Sequence, residues 1–582
     1  MPRLDYFAPG VYVEEIESGS RPIEGVATNI AGFVGFTEDI RNGAELFKPM
    51  LVTSWTQYKQ YFATVKEDGS MSDGFTDFDA YLPFAVYGFF LNGGGRCWVV
   101  SIGTYLPDPR NGKVAPTRQQ LVLQNRGGNR DLLTFEMRPE PRVLSKGELM
   151  IDIRDSKGFE PPESLPDMDP PFDKNELFSV SLRQGREVLI EYPYLTMRRD
   201  VPEQLQQVGL QYVVQALEAS TWLQVQPSNI TAQATFTPLA LRPVNGSYRL
   251  SAFPLYSQSN NWRTDIEGSQ DNGTGIQGLF EIDEVNIVAC PDLMRVYQAG
   301  LIDLDQLHGL MGLMIDMCEA SINGGSPNPP NRMVILDNPP FLGSPPSPDA
   351  PATALKPQEV AQWLSHFNRR SMFAALYYPW IKVANPRNGG RPAFVPPSGY
   401  MAGVWSRVDE TRGVYKAPAN EVPRGVMGLA YETNFREQEL LNPLGINCIR
   451  TFPNRGIRIW GARTLVEPDK TEWRYISVRR LISYIEKSIE LGTQWVVFEP
   501  NDEDLWARVT RVVSNFLERL WREGALFGAT PQQAFYVKCD AEINTPDTML
   551  LGRLYVEVGV SPVRPAEFVI FRISQWNSSD GS

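Results

Sequence analysis

The sequence predicts a multidomain α/β (α+β) protein: a mixed-sheet core interrupted by a β-rich inserted domain, with extended strand arms at both ends. Three observations predict it. Short apolar runs such as 30–36 (IAGFVGF) and 285–289 (VNIVA) alternate with helix-length amphipathic stretches, the pattern of a mostly parallel sheet covered on both faces. From about 104 to 284 the texture changes to alternating strands broken by Pro-rich loops. Each end carries a strand-like run, 11–14 and 567–574, on a polar tether that contains Pro.

Taken in order, the first run places Val11 and Val13 on one face and Tyr12 on the other. The residues after it, 15–25, are polar and lack a turn signal that would fold a second strand back. Ordering a lone strand costs roughly 1–2 kcal/mol per residue against a net of about 0.5–1.5 per ladder hydrogen bond, so its sheet must be built elsewhere. A buried strand at 30–36 and a short helix at 53–62 follow. The apolar helix 81–91 ends at Asn92-Gly-Gly-Gly and gives way to a strand at 97–102 (CWVVSI). The inserted stretch reads as strands at 120–124, 149–153, 178–182 and 188–192, with one helix at 202–219. The α/β texture then returns: strand 285–289, helix 307–320, strand 333–336, helix 357–367, strand 373–378. Near the C-terminus come a helix at 478–491, a strand at 495–499 and a Pro-Asn-Asp N-cap at 500–502. A long helix at 502–523 stops at Gly524, and strands follow at 534–539, 554–560 and 567–574. The predicted division is an arm 1–25, a core domain 26–104 and 285–455, an inserted domain 105–284, a C-terminal domain 456–562 and an arm 563–582.

Composition narrows the function. Of 582 residues 42% are hydrophobic and 21% charged, which describes a folded globular chain, and no apolar run is long enough to span a membrane. The start, MPRLD, lacks the apolar core of a signal peptide, so synthesis in a cytoplasm is expected. A net charge of −13 argues against nucleic acid as the main partner. The five cysteines, Cys97, Cys290, Cys318, Cys448 and Cys539, are widely spaced and read as reduced, buried thiols. Only two histidines are present, the residue most used for acid–base work.

No chemical motif survives inspection. The glycines at 93–95 follow a helix and precede a strand, whereas a phosphate cradle needs strand, loop, helix. His308 and His366 stand in helical contexts outside any HExxH pattern. Ser398-Gly399 lacks the strand-to-helix elbow of a G-x-S-x-G nucleophile, and the acidic clusters at 167–173 and 502–504 do not have EF-hand spacing. No catalytic, cofactor or metal site is expected. One pattern remains. On the wheel of the helix 502–523, Leu505, Val509, Val512, Val513, Phe516 and Leu520 form one arc, and Arg508, Arg511, Asn515, Arg519 and Arg522 a stripe opposite. That stripe is either a solvated face paired with acids such as Glu518 or a docking face for an acidic partner.

A set of segments in fixed order adds a family. YYPWI (377–381), PPSGYMAG (396–403), KAPAN (416–420), LNPLGIN (441–447), WGARTL (460–465), YISVRRL (475–481) and FEPN (498–501), with APGVYVE (8–14) and NGGGR (92–96), resemble the tail sheath proteins of contractile phage tails and contractile injection systems. The resemblance covers both ends and most of the chain after residue 289. It implies a structural polymer and not an enzyme: hexameric rings stacked around an inner tube, contracting on a baseplate signal to drive the tube through a target envelope. It implies that the arms, through Val11, Tyr12, Val13, Val569, Phe571 and Ile573, add strands to the C-terminal domains of neighbouring copies. It also implies that Arg508, Arg511, Arg519 and Arg522 face the tube and that the insert faces outward. The implied partners are the chain itself, the inner tube protein, and baseplate and terminator or cap proteins, in a phage tail or tail-like particle. A non-contractile surface or capsid-like polymer and an α/β enzyme with an accessory β-domain are the alternatives.

Overall fold

The structure, a computed structural model, describes residues 22–64, 70–106, 120–124, 131–137, 148–162, 165, 167–184, 187–218, 220, 223–227, 237–251, 261–319, 332–343 and 354–570. The chain forms two compact units. One comprises residues 28–412 and 417–476; the other comprises residues 413–416, 477 onward and the segment up to Ala27.

The first unit is built on an eight-stranded sheet in the order Gly456–Ile459, Ile446–Phe452, Ala374–Tyr378, Met333–Asp337, Ile287–Ala289, Ala31–Gly35, Cys97–Ser101, Pro49–Val52. The six inner strands are parallel and the two outer ones antiparallel to their neighbours. Ala31–Gly35, Ile287–Ala289, Met333–Asp337 and Ala374–Tyr378 are buried at every position, which is why they read as unbroken apolar runs. Helices Tyr81–Leu91 and Ser398–Arg412 cross in close contact, because Gly88 and Gly399 remove the side chains that would separate them. A Cβ on Gly399 would lie 2.3 Å from Ala85 Cα. The glycine run after Leu91 is the expected turn: Gly93 has φ +109, and the Asn92 amide donates to Gly88 O (2.9 Å) and Arg424 O (3.1 Å).

Between residues 120 and 251 lie two further sheets. One has three strands, Leu223–Pro227, Asp131–Met137 and Gln120–Gln124. The other has five: Gly246–Ser251, Glu148–Asp155, Phe178–Gln184, Glu187–Thr196 and Gln211–Tyr212. The buried pair Arg198–Glu176 (3.0 Å) ties the five-stranded sheet to the proline loop, Arg198 also donating to Pro170 O. The helix expected at 202–219 is instead two short ones, Glu203–Gln207 and Val213–Glu218. Gly209 at φ +92 breaks it, and Gln211–Tyr212 pairs as a strand. Helices Trp262–Glu267 and Gly275–Phe280 follow, and Leu279 packs over Gly32 of the main sheet.

The second unit centres on helices Ile476–Gly492 and Glu503–Arg522. Asp502 caps the long helix, its carboxylate accepting from Leu505 N (2.8 Å), and Gly524 at φ +85 ends it. All six residues of the predicted apolar arc are buried, with Leu481 and Ile485 of the other helix in the same cluster. Phe535–Lys538 and Glu557–Val560 form an antiparallel two-stranded sheet. The strand expected at 495–499 is a correction: Gln494–Val496 is a 3-10 turn, and Phe498 takes φ +69 ahead of Pro500. The final strand expected at 567–574 is also not seen where it is described, since residues 567–570 carry no strand; residues 571–574 and the strand at 11–14 lie outside the described residues.

Candidate assembly surface

The second unit holds most of the residues singled out from sequence. Its N-terminal segment does not behave as the free tether expected up to residue 25. Ile23 is buried with the helices (1% exposed), its carbonyl accepts from Arg519 (2.8 Å), and Val26 N donates to Ser488 Oγ (3.2 Å). Gly25 is required there, because a Cβ would fall 1.9 Å from the Tyr484 hydroxyl. The sequence signal was available in Ile23 itself, one of two apolar residues, with Ile16, in the polar stretch 15–25.

The arginine stripe is real as a surface but not uniform. Arg508 pairs with Glu499 (3.2 Å) and lies 5.5 Å from the centre of the Trp495 ring. Arg522 pairs with Glu518 one turn back (2.5 Å), and Arg511 is exposed. Such exposed pairs are worth about 0–1 kcal/mol, so these guanidiniums can exchange partners at little cost. Arg519 is different: its bond to Ile23 O and its position over the Phe516 ring (5.5 Å) make it a clamp for the N-terminal segment.

The two-stranded sheet is the other candidate surface. Phe535, Val537, Val558 and Val560 pack on the helix cluster, so the ribbon is supported from behind. Beyond it the apolar side chains of Phe568, Val569 and Ile570 are exposed. Of the predicted arm residues only Val569 is described; Val11, Tyr12, Val13, Phe571 and Ile573 are not.

The residues weighed for catalysis are used structurally. Ser398 does follow a strand, Pro392–Val395, and opens a helix, contrary to the expectation that no such elbow exists. Its hydroxyl points inward, however, donating to Asp337 Oδ2 (2.5 Å) while its amide donates to Oδ1 (3.0 Å). Burial pushes the Asp337 carboxyl up to about 7 against those two bonds. Asp292 does the same for the other crossing helix: it accepts from Tyr81 N (2.6 Å), Leu82 N (3.1 Å) and Phe36 N (2.7 Å), and burial raises it to about 6. Asp337 ends one parallel strand, Asp292 stands shortly past another, and both hold helix N-termini. His308 accepts from Trp363 Nε1 (2.8 Å), and burial lowers its pKa; His366 is exposed. Among the described residues no three His, Cys, Asp or Glu side chains group as a metal site, and no helix is long and apolar enough to cross a membrane.

Comparison with known proteins gives the surfaces a context. Residues 346–465 match the phage tail sheath protein central domain and residues 469–575 the phage tail sheath C-terminal domain. A tail sheath protein of Salmonella phage ViI is 28% identical over 209 residues, 35% of this chain and 32% of that protein. A putative prophage major tail sheath protein of Pseudomonas aeruginosa (strain UCBPP-PA14) is 26% identical over 229 residues, 38% of this chain and 56% of that one. The match thus spans about a third of the first relative's length and a little over half of the second's. In fold, the chain is similar to the helical sheath of the anti-feeding prophage in its contracted state, with a TM-score of 0.51 and 22% identity. That likeness covers 98% of this chain and 99% of the other.

Proposed function

We propose, from the premise that the chain belongs to the tail sheath protein family through its central and C-terminal sheath domains, that it is the subunit of a contractile sheath. In this reading it is a structural component and not an enzyme. Copies stack as hexameric rings around an inner tube, and contraction, triggered at a baseplate, drives the tube through a target envelope. The particle is a phage tail or a tail-like device, its subunits made in a bacterial cytoplasm and capped by a terminator.

The observation that carries the reading is the supported ribbon Phe535–Lys538 and Glu557–Val560, two-stranded among the described residues, in a unit whose chain continues into exposed apolar residues at 568–570. A two-stranded sheet leaves backbone donors and acceptors along both outer edges, which is what strand addition uses. We assign the donors to the arms: Val11, Tyr12 and Val13 from one neighbour, Val569, Phe571 and Ile573 from another. Arg508, Arg511 and Arg522 supply the tube-facing charge; Arg519 supports that face by holding Ile23. The insert between 105 and 284 is assigned to the outside of the sheath, where added mass does not obstruct the tube.

Negative-stain microscopy of the chain co-expressed with its neighbouring genes tests this directly. Tubular, cross-striated assemblies are expected, and deletion of residues 1–20 should give a folded monomer that no longer polymerises. Monomers that never form tubes under any expression condition would overturn the reading.

A further inference from the structure

One end of the second unit exposes apolar side chains in a fixed arrangement. Phe498 is wholly exposed (103%) and Val497 nearly so, and Phe498 holds φ +69, a region that a bulky residue adopts only when its surroundings impose it. Asn501 anchors the loop that follows: its Oδ1 accepts from Trp506 Nε1 (2.7 Å) and its amide donates to Arg553 O (3.0 Å). That second bond ties the loop to the turn after Pro546–Leu550, where Leu550 and Leu551 are also exposed. Around this knob stand the exposed acids Glu499, Asp502, Glu503, Asp504 and Asp547.

We infer that this acid-rimmed knob docks on a second copy of the chain, at the basic hairpin formed by Ile446–Phe452 and Gly456–Ile459. Charge selects that occupant. Residues 442–466 contain no Asp or Glu, in a protein whose net charge is −13, and of their four arginines Arg450, Arg455 and Arg458 belong to the hairpin while Arg463 is buried. Arg455 and Arg458 donate to the neutral oxygens of Asn420, and the acid bonded to the hairpin, Glu432, accepts from Thr451 and from neither arginine. Arg450 and Arg455 lie 5.2 and 5.9 Å from the centre of the Phe452 ring, which gives the hairpin a flat, basic, aromatic face. The adjoining helix Phe435–Leu441, bonded to the hairpin through Gln438, adds an exposed Phe435. A knob of one copy on a different face of the next is a heterologous contact, which builds open assemblies and not closed dimers. The inference rests on the polymer reading above and names one contact within it.

The test uses the full-length protein. Sedimentation velocity over a range of protein concentrations, at low and moderate salt, compares wild type with Phe498→Ser, Glu503→Arg, Arg455→Glu and the Glu503→Arg/Arg455→Glu pair. Each single change is expected to weaken self-association by about tenfold or more, the salt dependence to fall with either charge reversal, and the pair to recover most of the loss. Thermal melts of each variant separate lost contacts from lost folding; Phe498, already in solvent, should melt with wild type when changed to Ser. Wild-type association by Phe498→Ser, or no recovery in the pair, overturns the contact while leaving the sheath reading intact. A wild-type chain that stays monomeric at every concentration and forms no tubes overturns both.

Discussion

Replacing Asp337 with Asn should leave stability near that of wild type in mild acid and raise it towards neutral pH. The carboxylate sits at the end of Met333–Asp337, 3% exposed, and holds the first residue of the helix Ser398–Arg412 through that residue's amide and hydroxyl. Burial lifts it from the ordinary value of 3.8 to about 7 despite those bonds. A group raised in the folded state contributes stability that is fully present below its unfolded pKa and is lost as pH rises through its folded one. The window is therefore from about pH 4 to about pH 7. At about 1.4 kcal/mol per pH unit, the loss across that window is on the order of 4 kcal/mol. Asparagine fits the same cradle, its Oδ1 accepting from the Ser398 amide and its Nδ2 donating to the hydroxyl, and it does not ionise. Urea denaturation of both proteins at half-unit steps from pH 4.5 to 8 is the assay. Asp292 titrates in both and cancels in the difference. The variant should match wild type near pH 4.5 and exceed it increasingly up to about pH 7.5. A difference that is constant with pH, or a variant weaker throughout, would show that the helix N-terminus keeps Asp337 ionised and that burial does not dominate.

Three further outcomes follow from the packing. Ile23→Ala should remove about 2–5 kcal/mol from the second unit and release the segment before residue 27 to limited proteolysis, while a protected segment would show that Arg519 alone holds it. Gly399→Ala should cost about 1–3 kcal/mol in a chemical melt, since its methyl meets the backbone of Ala85; an unchanged melt would mean that the two helices separate freely. Arg511→Glu with Arg522→Glu should leave the melt within about 1 kcal/mol of wild type yet impair assembly on the tube, and normal tube-filled sheaths from that double variant would remove the tube-facing role.

What the sequence disclosed was decided by local, repeated signals. Inner strands buried on both faces must be apolar at every position, so 30–36, 285–289 and 333–336 were legible as strands without a partner in view. The long helix was legible end to end because Asp502, a six-residue apolar arc and Gly524 agree. One failure is local, the helix read at 202–219 that Gly209 breaks; in the others a contact from elsewhere in the chain outweighs local pattern. The apolar run at 495–499 has strand composition, but the bonds that Asn501 makes to Trp506 and Arg553 fold it into a turn. The polar stretch up to Gly25 looked free until Ser488, Tyr484 and Arg519 met it. Ser398 looked like a loop residue because the carboxylate that defines its role is 61 positions earlier.

The supported ribbon also constrains how an arm would bind in the strand-addition reading proposed above. Ordering an arm costs roughly 1–2 kcal/mol per residue, and each new ladder hydrogen bond returns about 0.5–1.5, so the backbone alone about breaks even. The helix cluster behind Phe535, Val537, Val558 and Val560 already holds the acceptor strands in place, which leaves only the arm's own entropy to offset. The surplus must come from side chains, at about 1.5–3 kcal/mol for each large apolar group that becomes buried. Val569, Phe571 and Ile573 share one face of an extended chain, and Arg572 lies on the other. Val569→Ser with Phe571→Ser should therefore abolish incorporation of the variant into wild-type sheaths, measured by the ratio of tagged to untagged chains in purified tubes. Arg572→Ser should leave that ratio near one. Equal losses from both would mean that the arm is held by its backbone or by charge, and that the alternation has no part in it.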